Sequence, residues 1–193
     1  LEEFAPNKWW VRFVEANINN LAAVPSIIYG IVGLMLFINA LGAPRASAIV
    51  AGLTFTLMII PGVIVSARQA LASVPSSIKH AAIALGASPV KALWHHTIPL
   101  AMPQLITSLI LALARAMGET APLLVIGMVA FILGTDYGFI EPTTTLPVQI
   151  YLWATNMGSG FAENTAAASL VLLILLFCCN LAVIRIRSRQ VIY

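Results

Sequence analysis

The sequence predicts an all-α protein, a polytopic bundle of membrane-spanning helices. Hydrophobic residues make up 60% of the 193 residues and charged residues only 9%, whereas a water-soluble domain carries about 25% charged residues. The mean hydropathy of the chain is correspondingly high, at +0.96. Four long apolar stretches can each cross a hydrocarbon core about 30 Å thick, which takes about 20 helical residues. Because that core holds no water to bind the backbone, these stretches must be helical.

We expect the chain to form one transmembrane domain over residues 1–193, with four spans. The predicted spans are residues 21–41, 46–67, 98–117 and 165–184. The third apolar stretch continues to Leu133, which is too long for one crossing and too short for two. We therefore expect the residues after Gly118 to fold back near the outer face of the membrane.

The positions of lysine and arginine predict the orientation. These cations precede the first span, separate the second from the third and follow the last, at Lys8, Arg12, Arg68, Lys79, Lys91, Arg185, Arg187 and Arg189. Cytoplasmic loops are enriched in Lys and Arg, so residues 1–20 are expected at the cytoplasmic interface and residues 69–97 in the cytoplasm. Residues 134–164 contain neither and are expected outside the cell. Arg45 departs from this pattern, as a plain loop residue or as part of an outer mouth.

The predicted cytoplasmic segment 69–97 begins with a short helix. It can start after Pro75, and three residues then fall on one apolar face because their spacing is i, i+4 and i+7: Ile78, Ala82 and Leu85. So short a projecting helix gains little by ordering on its own. We expect a partner protein to cover its apolar face, and the alternative is a loop packed on its own bundle.

A second short helix is expected after an elbow. Gly86 suits the left-handed position that ends a helix. Ser88 and Pro89 have the residue types favoured at the N-cap and at the first helical position, and the helix would reach about residues 94–96.

This segment resembles the Glu-Ala-Ala (EAA) loop of binding-protein-dependent ABC importer permeases, whose coupling helices dock into a groove on the ATPase subunit. The family pattern of Glu-Ala-Ala, then Gly, then Ile-x-Leu-Pro corresponds here to HAA at 80–82, to Gly86 and to HTIP at 96–99. The resemblance implies a MetI-like permease fold. It also implies that the coupling contact to the ATPase is made by His80, Ala81, Ala82, Gly86 and Pro99. His80 and His96 depart from the pattern.

Three further stretches resemble the A-type permeases of phosphate-specific transport (Pst) systems. They are NINNLAAVPSIIYGIVGL, ALARAMGETAPLLVIG and TTLPVQIYLWA. The resemblance extends over the chain in order and implies a pathway for inorganic phosphate through a bacterial or archaeal cytoplasmic membrane. It also implies three partners: a second, PstC-like permease, a PstB-like ATPase dimer and an extracytoplasmic PstS-like phosphate-binding protein facing residues 134–164. Members have six spans, so the resemblance predicts that the first two are missing from this chain.

Arg115 lies in the third predicted span and Glu119 just after it. An ionisable side chain within a transmembrane helix costs at least about 2.5–3.5 kcal/mol on insertion scales, so it calls for a reason. The two residues share a helix face if the helix continues through Gly118. One interpretation is a structural ion pair. The other is a substrate pathway in which Arg115 donates to an oxyanion and Glu119 holds it in place, and the resemblance to phosphate permeases favours this one. Thr120, with Thr107 and Ser108, either adds hydroxyl donors or bonds back to its own helix.

Other classes of function receive less support. The sequence contains no Gly-rich phosphate loop, so we expect ATP hydrolysis on a separate subunit and no enzymatic activity here. No metal or cofactor is expected, because the histidines lack metal-ligand spacing, and no nucleic-acid partner is expected. Two rivals remain: the same machine acting on another oxyanion or small solute, and an intramembrane enzyme using Glu119 and a histidine, which the predicted topology places on opposite sides of the membrane.

Overall fold

The computed structural model describes residues 8–129, 138–156, 158 and 160–190, the last five without their side chains. Helices dominate these ranges and confirm the predicted all-α class. In chain order they are α1 (Trp9–Ala22), α2 (Ser26–Gly33), the π-helical segment π1 (Leu34–Ala40), α3 (Ala48–Ala72), α4 (Ser76–Ala84), α5 (Pro89–Ala92), the π-helical segment π2 (Leu93–Thr97), α6 (Ile98–Met117), α7 (Ala121–Val125), α8 (Leu146–Thr155) and α9 (Phe161–Gln190).

Three helical stretches in the described part of the chain are long and apolar enough to cross a membrane. They are Ala48–Ala72, Pro89–Met117 and Phe161–Arg185. A fourth crossing exists if the broken pair Trp9–Ala22 and Ser26–Ala40 counts as one span. The chain is therefore built as a multi-pass membrane protein.

The first predicted span, 21–41, differs from the helices that the structure forms. α1 ends at Ala22, α2 begins at Ser26, and Pro25 stands between them as an extended N-cap with φ −57° and ψ 137°. The residue before a proline is disfavoured in the helical region, so the chain leaves the helix there.

The second predicted coupling helix also differs. It does not stop near residues 94–96, because α5 continues through π2 into α6 as one helical stretch, Pro89–Met117. The helix α6 itself covers the same residues as the third predicted span.

The predicted outer loop 134–164 contains a helix. Residues 134–137, 157 and 159 of this segment lie outside the described residues. α8 fills its middle, with Pro147 and Val148 buried. α9 then begins at Phe161, four residues before the predicted start of the last span. Val148 belongs to a hydrophobic core, so part of the segment predicted to be an outer loop is buried inside the fold.

The described residues form two compact units. The first combines residues from 1–22, 61–112 and 180–193, and the second combines residues from 23–60 and 113–179. The core of the second unit is made of Phe37, Ile38, Ala46, Val50, Ala51, Leu123, Ile126, Met128 and Val148. In the first unit, α1 packs on α3 through an ion pair between Glu15 and Arg68.

Candidate functional site

The charged pair predicted from the sequence is present in the second unit. The guanidinium Nε of Arg115 lies 3.8 Å from the Glu119 carboxylate Oε1. The helix does not continue through Gly118, because α6 ends at Met117. Beyond the end of α6, the amide groups of Gly118 and Glu119 donate to the carbonyls of Arg115 and Ala116 at 3.1 Å. These two turn hydrogen bonds bring the side chain of Glu119 back toward that of Arg115.

The two partners differ in exposure. The Arg115 side chain is 84% exposed, while that of Glu119 is 23% exposed. An exposed ion pair contributes about 0–1 kcal/mol, so this contact positions the guanidinium more than it stabilises the fold. Arg115 carries several N–H donors in a planar fork, and only its Nε lies in this contact with Glu119. The accessible guanidinium is therefore able to bind an anion.

An open cavity of about 630 Å³ lies beside this pair in the second unit. Its lining is mostly apolar and includes Phe55, Leu113, Met117, Leu172 and Leu175. Three lining residues carry polar side chains: Thr56, Glu119 and Thr145. Glu119 thus contacts the exposed Arg115 guanidinium and also lines a cavity bounded by membrane-length helices.

The hydroxyl groups near the pair have different partners. Thr107 donates to the Pro103 carbonyl and Ser108 to the Leu105 carbonyl, each at 2.8 Å, so both bond back to their own helix. Thr120 is the half-buried N-cap of α7, and its side chain makes no capping hydrogen bond. It is not among the residues that line the cavity.

Sequence reasoning did not single out Thr145. Its Oγ1 is buried and has no hydrogen-bond partner among the described residues. Thr145 is the N-cap of α8, but its side chain makes no capping bond. An N-cap hydroxyl usually accepts from the N–H of the second or third helical residue, and Pro147, the second one, has no N–H. The Thr-Leu-Pro order was the signal that a standard cap would be disturbed.

The elbow of the predicted coupling loop is formed as expected. Gly86 has φ +91°, and a left-handed residue at this point suits a glycine. Its amide donates to the Ile83 carbonyl at 2.9 Å and the Ala87 amide to the Ala82 carbonyl at 3.0 Å, the two bonds of a Schellman motif. Ser88 caps the next helix by accepting from the Lys91 amide at 3.3 Å, with Pro89 at the start.

The predicted coupling residues are mostly at the surface. His80, Ala81, Gly86 and Pro99 are exposed, whereas Ala82 is buried. The expected apolar face of α4 is split, because Leu85 is the C-cap, where the chain leaves the helix, and is 91% exposed. Exposed apolar side chains lie on both sides of the elbow: Ile83, Leu85, Val90 and Trp94. This surface is suited to contact with another protein.

Membrane-length helices, a capped elbow between two of them and a charge pair at the end of α6 together define a polytopic membrane protein. The chain belongs to the family of binding-protein-dependent transport system inner membrane components, whose sequence model matches residues 3–189.

Individual relatives are also similar over most of the chain. It is 32% identical to the phosphate transport system permease protein PstA 1 of Mycobacterium tuberculosis, over 91% of this chain and 57% of that protein. It is 29% identical to the probable ABC transporter permease protein YqgH of Bacillus subtilis, over 98% of this chain and 63% of that protein. It is 29% identical to the phosphate transport system permease protein PstC of Pasteurella multocida, over 88% of this chain and 56% of that protein. The chain therefore spans less than two thirds of each.

Proposed function

We propose that the chain is a permease subunit of an ATP-driven importer and forms part of the transmembrane pathway for inorganic phosphate. Its family membership and the phosphate permeases among its relatives support this proposal. Phosphate is an oxyanion, and a guanidinium binds oxyanions through two parallel N–H donors.

The observation that carries the proposal is the position of Arg115. Ionisable side chains within membrane-spanning segments are rare and usually have a function or a partner. Glu119, the partner that the structure gives Arg115, is 3.8 Å away and leaves most of the guanidinium exposed. Phosphate would bind the exposed part, with Glu119 keeping the binding weak enough for release. Thr120 would supply a hydroxyl donor.

The ATPase is proposed to be a separate dimer that binds the elbow of the loop 69–97. The exposed apolar residues around Gly86 support such a contact, because an apolar surface of this kind is stabilised by a protein partner. Closure of the ATPase dimer on ATP binding would push the elbow and rock the helices between inward and outward openings, as rigid bodies. His80, Ala81, Ala82, Gly86 and Pro99 would form the contact.

The remaining partners follow from the same proposal. A second, related permease would complete the pore, and an extracytoplasmic phosphate-binding protein would deliver phosphate to the side of residues 134–164. The membrane would be the cytoplasmic membrane of a bacterial or archaeal cell. The distribution of Lys and Arg supports this orientation.

The test replaces Arg115 in the assembled complex, reconstituted in vesicles with phosphate outside and ATP inside. Arg115→Ala should abolish phosphate uptake while the subunits still co-purify and hydrolyse ATP. Arg115→Lys, which keeps the charge but loses the planar fork, should restore part of the uptake. Arg45→Ala is the matched control, because Arg45 is an exposed arginine in a loop.

Normal phosphate uptake by Arg115→Ala would remove Arg115 from the pathway. The substrate is tested in the same vesicles with competing anions. Inhibition of uptake by excess sulfate as strong as inhibition by unlabelled phosphate would show a general oxyanion importer instead of one for phosphate.

A further inference from the structure

The first helix, α1, presents large apolar side chains on its outer side. Five of them are more than a third exposed: Trp9, Trp10, Phe13, Val14 and Leu21. Trp9 reaches 78% exposure and Phe13 63%. On a helix of 3.6 residues per turn these five positions occupy one arc of about 140°. This arc, the aromatic face of α1, also holds the exposed Asn17 and Asn20, and four of its five large apolar side chains lie in the first two turns of the helix.

The other side of α1 is already packed. Val11 is buried and Ile18 half-buried, and both lie outside the aromatic face. Glu15 points the same way and pairs with Arg68 of α3, with 2.9 Å between the Glu15 Oε1 and an Arg68 terminal nitrogen. The core of the first unit therefore leaves the aromatic face of α1 uncovered.

The contact with α3 fixes the depth of α1. Residues 46–67 of the chain carry no charged residue, and Arg68 is the first charge after them. Asn19 of α1 shares a cleft of about 230 Å³ with Val65, Arg68, Gln69 and Ala72. α1 thus lies at the level where the apolar run of α3 ends, which is the boundary between hydrocarbon and water.

We propose that α1 is an interfacial helix, with its aromatic face inserted among the headgroups and upper acyl chains of the bilayer and its N-terminal cations near anionic lipid phosphates. Tryptophan is enriched at this depth because its ring is apolar and its N–H is polar. Lys8 and Arg12 lie beside the tryptophans, as in helices that bind anionic membranes. This inference requires a membrane protein and is independent of phosphate as the substrate.

A lipid occupant is favoured over a protein for two reasons. The aromatic face lies at the depth of the lipid headgroups, where lipid surrounds any face that the bundle does not cover. Its composition of two tryptophans, a phenylalanine and adjacent cations matches an interfacial helix.

The experiment measures the depth of α1 in the full chain, alone and in its assembled complex, in nanodiscs containing phosphatidylglycerol. A nitroxide label is attached at Phe13→Cys, in a background of Cys178→Ala and Cys179→Ala, and the collision rates with oxygen and with a water-soluble nickel chelate are compared. Oxygen, which concentrates in lipid, should relax the label several-fold more than the chelate. In the chain alone, a label at Ala84→Cys, on exposed α4, should show the reverse, and Trp9→Cys should repeat the result of Phe13→Cys in both samples.

Two outcomes would overturn the proposal. In the first, the Phe13 label in the chain alone is as accessible to the chelate as the Ala84 label, which would place α1 in water. In the second, the Phe13 label in the assembled complex is inaccessible to both reagents, which would show that a protein subunit covers the aromatic face.

The charge of the helix is tested separately with spin-labelled lipids in the same nanodiscs. Lys8→Gln should lower the preference of the protein for phosphatidylglycerol over phosphatidylcholine by about fivefold at this site, the effect of about 1 kcal/mol per cation near the surface. An unchanged preference would remove the role of Lys8 in lipid binding.

Discussion

Gly30 of α2 lies directly against Pro122 of α7. A methyl group on Gly30 would stand 2.7 Å from the Pro122 Cα and 2.9 Å from its carbonyl oxygen. Both are backbone atoms, and they belong to a buried residue. The glycine is therefore required for the close approach of these two helices, as small residues are in many membrane bundles.

This contact predicts that Gly30→Ala destabilises the protein. The added methyl group forces α2 and α7 apart, and overpacking of this kind costs about 1–3 kcal/mol. The melting temperature of the purified protein in detergent should fall by several degrees. Gly62→Ala is the matched control, since a methyl group at Gly62 would meet no atom within 4 Å. An equal response to the two substitutions would contradict the close packing of α2 on α7.

The buried hydroxyl of Thr145 predicts an unusual gain in stability. Thr145→Val keeps the shape of the side chain and removes an unpartnered polar group, whose burial costs about 1–3 kcal/mol. The melting temperature should rise by about 2–4 °C for each kcal/mol gained in a chain of this size. The control is Thr56→Val in the same cavity, because the Thr56 hydroxyl donates to the Gly52 carbonyl at 2.7 Å. A lower melting temperature for Thr145→Val would show that the hydroxyl has a partner.

The left-handed turn at Gly86 predicts a sensitive point in coupling. Gly86→Val forces a branched side chain to φ +91°, which costs about 1–3 kcal/mol where the conformation is kept. The elbow should then shift, and the ATP-binding subunit should be lost on purification. Gly86→Asn is the control, because asparagine tolerates the left-handed region. Retention of the ATPase by the valine variant would show that the elbow is not the coupling contact.

The pairing of Glu119 with Arg115 predicts opposite changes in affinity and rate. Glu119→Gln keeps the size of the side chain and removes the negative charge beside the guanidinium. Phosphate should then bind more tightly and leave more slowly, so that both KM and the maximal rate of uptake fall together. Glu119→Asp keeps the charge and should stay closer to the unchanged protein. A rise in KM for the glutamine variant would contradict the role of Glu119 in release.

Local features of the fold were predictable from the sequence. The elbow at Gly86 and the cap at Ser88 depend on neighbouring residues only, and both appear as predicted. The all-α class was predictable from the long apolar stretches, and the family was predictable from the spaced residues of the EAA-like motif. The break between α1 and α2 at Pro25 falls inside the first predicted span, 21–41, since apolar content alone does not reveal where a helix ends.

The features that were missed depend on distant contacts. The buried position of Val148 in a segment predicted to be an outer loop results from packing against residues far away in the sequence. The cavity that links Glu119 to Thr145 has the same origin, because its walls come from five separate parts of the second unit. Arg115 and Glu119 were predicted to be a charged pair. Their spacing of four residues did not predict that α6 ends between them, at Met117.

The π-helical segment Leu93–Thr97 holds one more residue than an α-helix would place in the same length. Its hydrogen bond from the Ile98 amide reaches the Leu93 carbonyl, five residues back, and Thr97 is buried there with its hydroxyl unpartnered among the described residues. Compared with an uninterrupted α-helix, one extra residue turns the helix on one side of π2 by about 100° relative to the helix on the other side. The insertion therefore sets which side chains of α6, the helix that carries Arg115, face the rest of the fold.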